Sequence, residues 1–314
     1  PLMDTDLKAI GTMVMMEDIS SEKRMKSTMS RYMDPGLADK LMGGGEEILG
    51  GQSSIATVLF SDIRSFTTLS EELGAQGIVS LLNEYFTVMV DCLNKEEGML
   101  DKFIGDAMMA IFGTPFPHED DPDRGVRCAI DMMNKLRAFN QDRVAKGLME
   151  IDIGIGLNTD NVVSGNIGSP KRMDYTVIGD GVNLAARLES GTKQYGAHIL
   201  ISEFTFKALR GTYRYREIDH VVVKGKTKPV AIYELLDYHT EESFPHMVDA
   251  LAHFRDGIEC YRKGEFDSAI DKFNKTLQLH PKDKASQIYV ERCEHLRETV
   301  NPDEWDGVWV MTSK

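Results

Sequence analysis

This sequence predicts an α+β sandwich with helical additions at both ends. Three observations lead there. Between residues 53 and 240, apolar runs with strand character alternate with helical tracts, and tight turns join many of them. Two of the runs, Phe103-Ile104 and residues 108–112, are separated by little more than Gly105-Asp106, a hairpin turn signal. After Pro245 the patterning becomes purely helical. The arrangement that accounts for the middle region is a ferredoxin-like βαββαβ core.

The bulk composition narrows the function. With 314 residues, the chain can bury a large core and carry a further module. Charged residues make up 27% and hydrophobic ones 42%, an ordinary soluble composition. A net charge of −14 argues against general binding to nucleic acid or to a membrane surface. An anionic nucleotide would therefore need local Lys, Arg or metal. No apolar run approaches the roughly 18 residues of a membrane span, and no signal peptide is expected. Cys92, Cys128, Cys260 and Cys293 lie far apart without metal-ligand spacing, which suits reduced residues of a cytoplasmic protein. The 18 methionines sit mostly at apolar positions and read as core filling.

Taken in order, residues 1–19 read as the end of an upstream sensor domain or as a tail. Ser20 or Ser21 caps a helix in which Met25, Met29, Tyr32 and Met33 share one face, the stripe of a signalling helix that pairs with a second copy. Asp34-Pro35-Gly36 ends it. The glycines between residues 43 and 51 form a hinge and not a P-loop, because no Gly-Lys-Ser/Thr follows. This signalling helix and linker occupy residues 20–52, and the catalytic domain is expected over 53–240. Its first strand contains Val58, Leu59 and Phe60. A helix follows with apolar residues from Ile78 to Leu93 at spacings of three and four, then the Gly105 hairpin. The acidic stretch around His118 reads as a solvated turn, and a second helix covers residues 123–144. Residues 150–157 and 162–167 read as two strands. Gly154-Ile155-Gly156 lacks the third glycine of a dinucleotide fingerprint. Lys171-Arg172 mark a turn before a strand at 175–178. A helix at 181–190 and a strand at 199–201 follow. Residues 213–223 and 230–236 close the domain as an antiparallel pair around Lys224-Gly225-Lys226. Gly257, Gly264, Phe266, Ala269, Phe273 and Pro281 match a tetratricopeptide unit within a 245–300 extension. One such unit is too few for a superhelix, so it is expected to pack on the core or on a symmetry mate. Residues 301–314 form a tail whose Trp305 and Trp309 read as docking anchors.

Two aspartates stand out. Asp62 follows the Val58–Phe60 run, and Asp106 sits in the hairpin turn. Either alone is an ordinary turn residue. If their strands pair, the carboxylates meet at one sheet edge as hard oxygen ligands for Mg²⁺ or Mn²⁺, a two-metal site for phosphoryl chemistry. Asn183 and Arg187 are spaced i, i+4 and share a helix face.

Three motifs carry a resemblance that extends over about residues 55–236: FSDIRSFT at 60–67, DKFIGDAMMAIFG at 101–113, and YTVIGDGVNLAAR at 175–187. In this order the segments resemble the class III nucleotidyl cyclases. The resemblance implies the same ferredoxin-like core and a reaction that cyclises a nucleoside triphosphate. It implies two divalent metal ions on Asp62 and Asp106, with the Ile63 carbonyl as a further ligand, one lowering the 3′-hydroxyl's pKa and one on the triphosphate. Asn183 is implied to orient the ribose and Arg187 to neutralise the α-phosphate. Lys102 and Thr176 are implied to read the base. A lysine donates and a threonine hydroxyl accepts, which suits adenine's N1 and N6. ATP is therefore the expected substrate. Lys226 or Lys224, and Arg172 or Lys171, are candidates for clamping the phosphates. In the family the base and ribose readers serve metals held by the other chain, so a homodimer is implied. Two rival readings stay open: a guanylyl cyclase, and a non-catalytic dimerising scaffold. A diguanylate cyclase would need a Gly-Gly-acidic turn followed by Glu-Phe, which is absent.

Overall fold

A computed structural model describes residues 2–3, 5–6, 8–11, 23, 51–169, 171–221, 229–300, 305 and 307. The chain divides into two compact units, Pro1–Glu47 and Ile48–Lys314. In the first, β1 (Leu2–Met3) pairs antiparallel with β2 (Ala9–Gly11). Of the expected signalling helix only Lys23 is described, in helical conformation. The methionine stripe and the hinge glycines before Gly51 lie outside the described residues.

The second unit is built on one large sheet. It contains β3 (Gln52–Ile63), β4 (Met99–Ile104), β5 (Ala107–Phe112), β6 (Ile153–Ser169), β8 (Ile199–Ser202), β9 (Tyr215–Val221) and β10 (Val230–Leu235) in the order β4-β5-β3-β6-β8-β10-β9. β7 (Arg172–Ile178) folds back on the distal half of β6. α1 (Phe66–Lys95) joins β3 to β4, and α2 (Asp121–Ala145) joins β5 to β6. The connectivity β3-α1-β4-β5-α2-β6, with β3 central beside β5 and β6, is the expected ferredoxin-like core.

Alternation along the strands divides the interior between two faces. Leu59, Met108, Ala110 and Phe112 pack with Tyr85 and Met89 of α1 and Val126 and Met132 of α2. Their neighbours Val58, Met109 and Ile111 face the other way, against Val177 of β7 and Ala185. Ala185 belongs to α3 (Asp180–Tyr195), and a short α4 (Glu203–Ala208) follows β8.

Two expectations need correction. Residues 150–157 and 162–167 are not separate strands, because β6 runs unbroken from Ile153 to Ser169 along the length of β3. Asn158 and Thr159, which lie between those two runs, are buried and paired. Thr159 shares a hydrogen bond with Thr57 at 2.8 Å, and Asn158 donates to the Gly181 carbonyl while accepting from Ser202. Nor is the acidic stretch after His118 wholly solvated. Asp121 and Asp123 are buried, and Asp123 accepts from the Arg210 and Gly211 amides and the Tyr213 hydroxyl, all within 2.9 Å.

The C-terminal helices α5 (Met247–Arg262), α6 (Phe266–Leu279) and α7 (Lys284–Thr299) dock on the core. Gly257 admits the Phe273 ring, since a Cβ there would lie 2.7 Å from it. Arg216 of β9 is buried between Glu234 of β10 at 2.6 Å and Asp283, just before α7, at 2.8 Å. Arg292 of α7 pairs with Asp219 at 2.7 Å, and the Tyr195 hydroxyl at the end of α3 donates to the same carboxylate. Trp305 donates its indole N–H to the Tyr261 carbonyl, a docking anchor as expected. Trp309 lies outside the described residues.

Candidate active site

β3 delivers Asp62 to the sheet's end because Val58 and Leu59 fix the strand's register in the core. The chain then turns sharply. Arg64 pins the turn, its guanidinium reaching the Ala197 carbonyl at 2.5 Å and Asp152 at 3.3 Å. Asp106 arrives from the β4–β5 hairpin, whose Gly105 adopts a φ of 67° that a side chain would strain. Ser61 pairs with Met108, so both aspartates come to the same end of the sheet. Burial, then the hydrogen bond and negative charge of Asp62, push the Asp106 carboxyl up to about 6. Two acids held this close share a position that a small divalent cation would stabilise. Below them lie the buried Ser61 and Tyr85 hydroxyls, neither with a well-formed hydrogen bond. Burial, reinforced by the charges of Asp62 and Asp106, pushes the Tyr85 phenol well up.

One cation already stands at this pair. Lys193, in the last turn of α3, donates to Asp62 at 2.8 Å, and that bond raises its own pKa. The sequence reading missed Lys193, which has no motif spacing to Asn183 or Arg187. It also missed why α3 reaches Asp62. Gly154 and Gly156 lie two apart on one face of β6. A Cβ on Gly154 would stand 2.2 Å from the Thr192 hydroxyl, and one on Gly156 would stand 2.1 Å from the Glu189 amide nitrogen. The glycine pair lets α3 lie flush on the strand. Two glycines at i, i+2 in an otherwise apolar strand were the available signal.

Asn183 and Arg187 are exposed on one face of α3, while Leu184 and Leu188 hold the opposite side in the core. Among the described residues neither makes a side-chain hydrogen bond or ion pair, so both are available to a ligand. Lys102 on β4 and Thr176 on β7 are brought together. Both lie beside Asp101, a carboxylate the sequence reading passed over. Thr176 is buried and Lys102 part-exposed. The charges acting most on Asp106 are Asp62 and Lys193, whereas those on Asp101 are Lys102 and Asp174.

Arg172 and Lys171 are exposed at the tip of the β6–β7 arm, at the opposite end of β6 from the residues paired with Asp62 and Ile63. Lys224 and Lys226 lie outside the described residues. The Ile63 side chain is buried, and its backbone closes β3 opposite Ile153. Among the described residues no group of three or more His, Cys, Asp and Glu side chains gathers to hold a metal. Two carboxylates whose repulsion raises one pKa suit Mg²⁺ or Mn²⁺. No described helix is long and apolar enough to cross a membrane.

The "Adenylate and Guanylate cyclase catalytic domain" family matches residues 51–237. An adenylate cyclase from Anabaena cylindrica is 40% identical over 186 residues, 57% of this chain and 36% of that protein. The solved structure of the adenylyl cyclase CyaB from P. aeruginosa is 40% identical, with a TM-score of 0.57, covering 60% of this chain and 97% of that one. The guanylyl cyclase Cya2 is 39% identical, with a TM-score of 0.54, covering 60% and 94%. The chain spans only 11% to 36% of the length of the first curated relatives it matches. The match over residues 51–237, with both aspartates, Asn183 and Arg187 inside it, makes this chain a member of the adenylate and guanylate cyclase catalytic domain family.

Proposed function

We propose that the chain is an adenylyl cyclase, converting ATP to 3′,5′-cyclic AMP and pyrophosphate at sites completed by a second copy. The observation that supports this most is the meeting of Asp62 and Asp106 at one sheet end, close enough to lift the Asp106 carboxyl to about 6. Two divalent ions held there, with the Ile63 carbonyl as a further ligand, would supply acidification of the ribose 3′-hydroxyl and neutralisation of the triphosphate. The 3′-oxygen forms a bond to the α-phosphorus, its proton is lost, and the bond to the β-phosphate bridging oxygen breaks. Asn183 orients the ribose for that attack. Arg187 donates to α-phosphate oxygens as charge accumulates on them, a task for a side chain that stays protonated. Lys226 and Arg172, or their neighbours Lys224 and Lys171, hold the departing phosphates.

Lys102 donates to adenine N1, and the Thr176 hydroxyl accepts from the N6 amino group. The same lysine has nothing with which to accept from guanine's N1–H, which argues against the guanylyl alternative. Retention of both aspartates and of the Asn183/Arg187 pair argues against a silent scaffold. Membership of a family whose base and ribose readers serve metals held by the other chain supports a homodimer with two sites. So does a set of exposed apolar residues on neighbouring strands: Ile55, Phe103, Ile104, Val163, Met173 and Ile178. A cytoplasmic enzyme under an upstream sensor, with a tetratricopeptide-like extension, completes the reading. The test is to incubate the purified chain with Mn²⁺ or Mg²⁺ and either ATP or GTP, and to identify the product. Cyclic AMP in clear preference is expected. Cyclic GMP as the only product, or no product from concentrated metal-supplied protein, would overturn it.

A further inference from the structure

Asp101 is the residue of β4 that the pairing with β5 leaves out. Leu100 faces Ala110 and Lys102 faces Met109, so Asp101 forms a bulge between them. Its side chain is fully buried. Neither carboxylate oxygen completes a well-aligned hydrogen bond, although the Lys102 ammonium stands 3.3 Å from one. The Thr176 hydroxyl lies alongside from β7 and favours the charged form. Burial pushes this carboxyl up, and Thr176 and Lys102 pull it back. A buried carboxylate with unfilled acceptor sites is costly, and an apolar side chain would pack a bulge at less expense. Such a group needs a reason.

We infer that Asp101 is a positioning residue that sets base selectivity by fixing the direction of the Thr176 hydroxyl and the place of the Lys102 ammonium. A carboxylate only accepts. Beside it, the Thr176 O–H turns inward and donates to Asp101. The outward lone pairs of Thr176 are then left to accept, which matches the amino group at adenine C6 and opposes the carbonyl oxygen there in guanine. The same carboxylate holds Lys102 where it donates to N1. Threonine alone is ambiguous, since its hydroxyl donates or accepts according to its neighbours. Asp101 removes the ambiguity. This rests on the proposed reading of Lys102 and Thr176 as base readers.

The test compares kcat/KM for ATP and for GTP in the full chain with Asp101→Asn, Asp101→Glu and Thr176→Val. An asparagine amide donates as well as accepts, so it frees the Thr176 hydroxyl to point outward as a donor. The ATP-to-GTP ratio is expected to fall by about tenfold or more in Asp101→Asn, chiefly through KM, with partial recovery in Asp101→Glu. It should also fall in Thr176→Val. A ratio that collapses in Thr176→Val but is unchanged in Asp101→Asn overturns the role of Asp101 and leaves the base readers standing. A ratio unchanged in both overturns the base readers and this inference together. Should Asp101→Asn fail to fold, Asp101→Ser is read by the same criteria.

Discussion

Arg187 illustrates how much a single side chain depends on its neighbours being apolar. Leu184 and Leu188 bury one side of α3, and this leaves Asn183 and Arg187 exposed together. An interaction made mainly in the transition state shows in kcat. Arg187→Ala is therefore expected to lower kcat by roughly 10²–10³-fold with little change in KM, read from steady-state kinetics with ATP. This pair was legible in the sequence because i, i+4 spacing is a helical signal in itself. Asp62 and Asp106 were legible because each ends a recognisable strand run. Lys193 and Asp101 were not. Lys193 meets Asp62 only after α3 is laid on the sheet, and Asp101 is marked by a bulge, a property of strand pairing that one strand's sequence does not carry.

The close packing of α3 on β6 rests on Gly154 and Gly156. A Cβ at Gly156 would stand 2.1 Å from the Glu189 nitrogen and 2.5 Å from the Ala185 carbonyl oxygen, both backbone atoms with no room to yield. Gly156→Ala should displace α3, cost about 1–3 kcal/mol in denaturant unfolding and lower activity with it. The join between sheet and C-terminal helices makes a different prediction. Burial raises the Asp283 carboxyl, but Arg216 and the Ser286 hydrogen bonds outweigh it and hold it below the usual range. A depressed folded pKa contributes stability above the ordinary aspartate value near pH 4 and loses it as pH falls through the folded value. Asp283→Asn should cost about 3 kcal/mol at neutral pH by leaving Arg216 short of a partner. That deficit should shrink in unfolding measurements below about pH 4. Burial pushes the neighbouring Glu234 the opposite way and the Asp283 charge adds to that push, so Asp283→Asn also eases the ionisation of Glu234. The helices themselves were legible from their spacing. The unbroken β6 was not, because the polar stretch from Asn158 to Asn161 interrupts the apolar pattern and only the pairing with β3 shows it to be strand.

On the proposed reading, each copy of the molecule carries two half-sites. The ferredoxin-like order β4-β5-β3-β6 was predictable from strand and helix succession, whereas the docking of α5–α7 on β9, β10 and α3 depended on buried ion pairs that no local pattern announces. If Asp62 and Asp106 of one copy serve Asn183 and Arg187 of another, the two groups can be damaged in separate chains and still meet. Asp106→Ala and Arg187→Ala proteins should each be nearly inactive alone. Mixed in equal amounts and allowed to exchange subunits, they should form heterodimers with one intact site. Activity toward ATP should then return to roughly a quarter of the unmodified level, as random pairing of two-site dimers requires. Continued inactivity of the mixture, with subunit exchange shown independently, would contradict a site shared between copies.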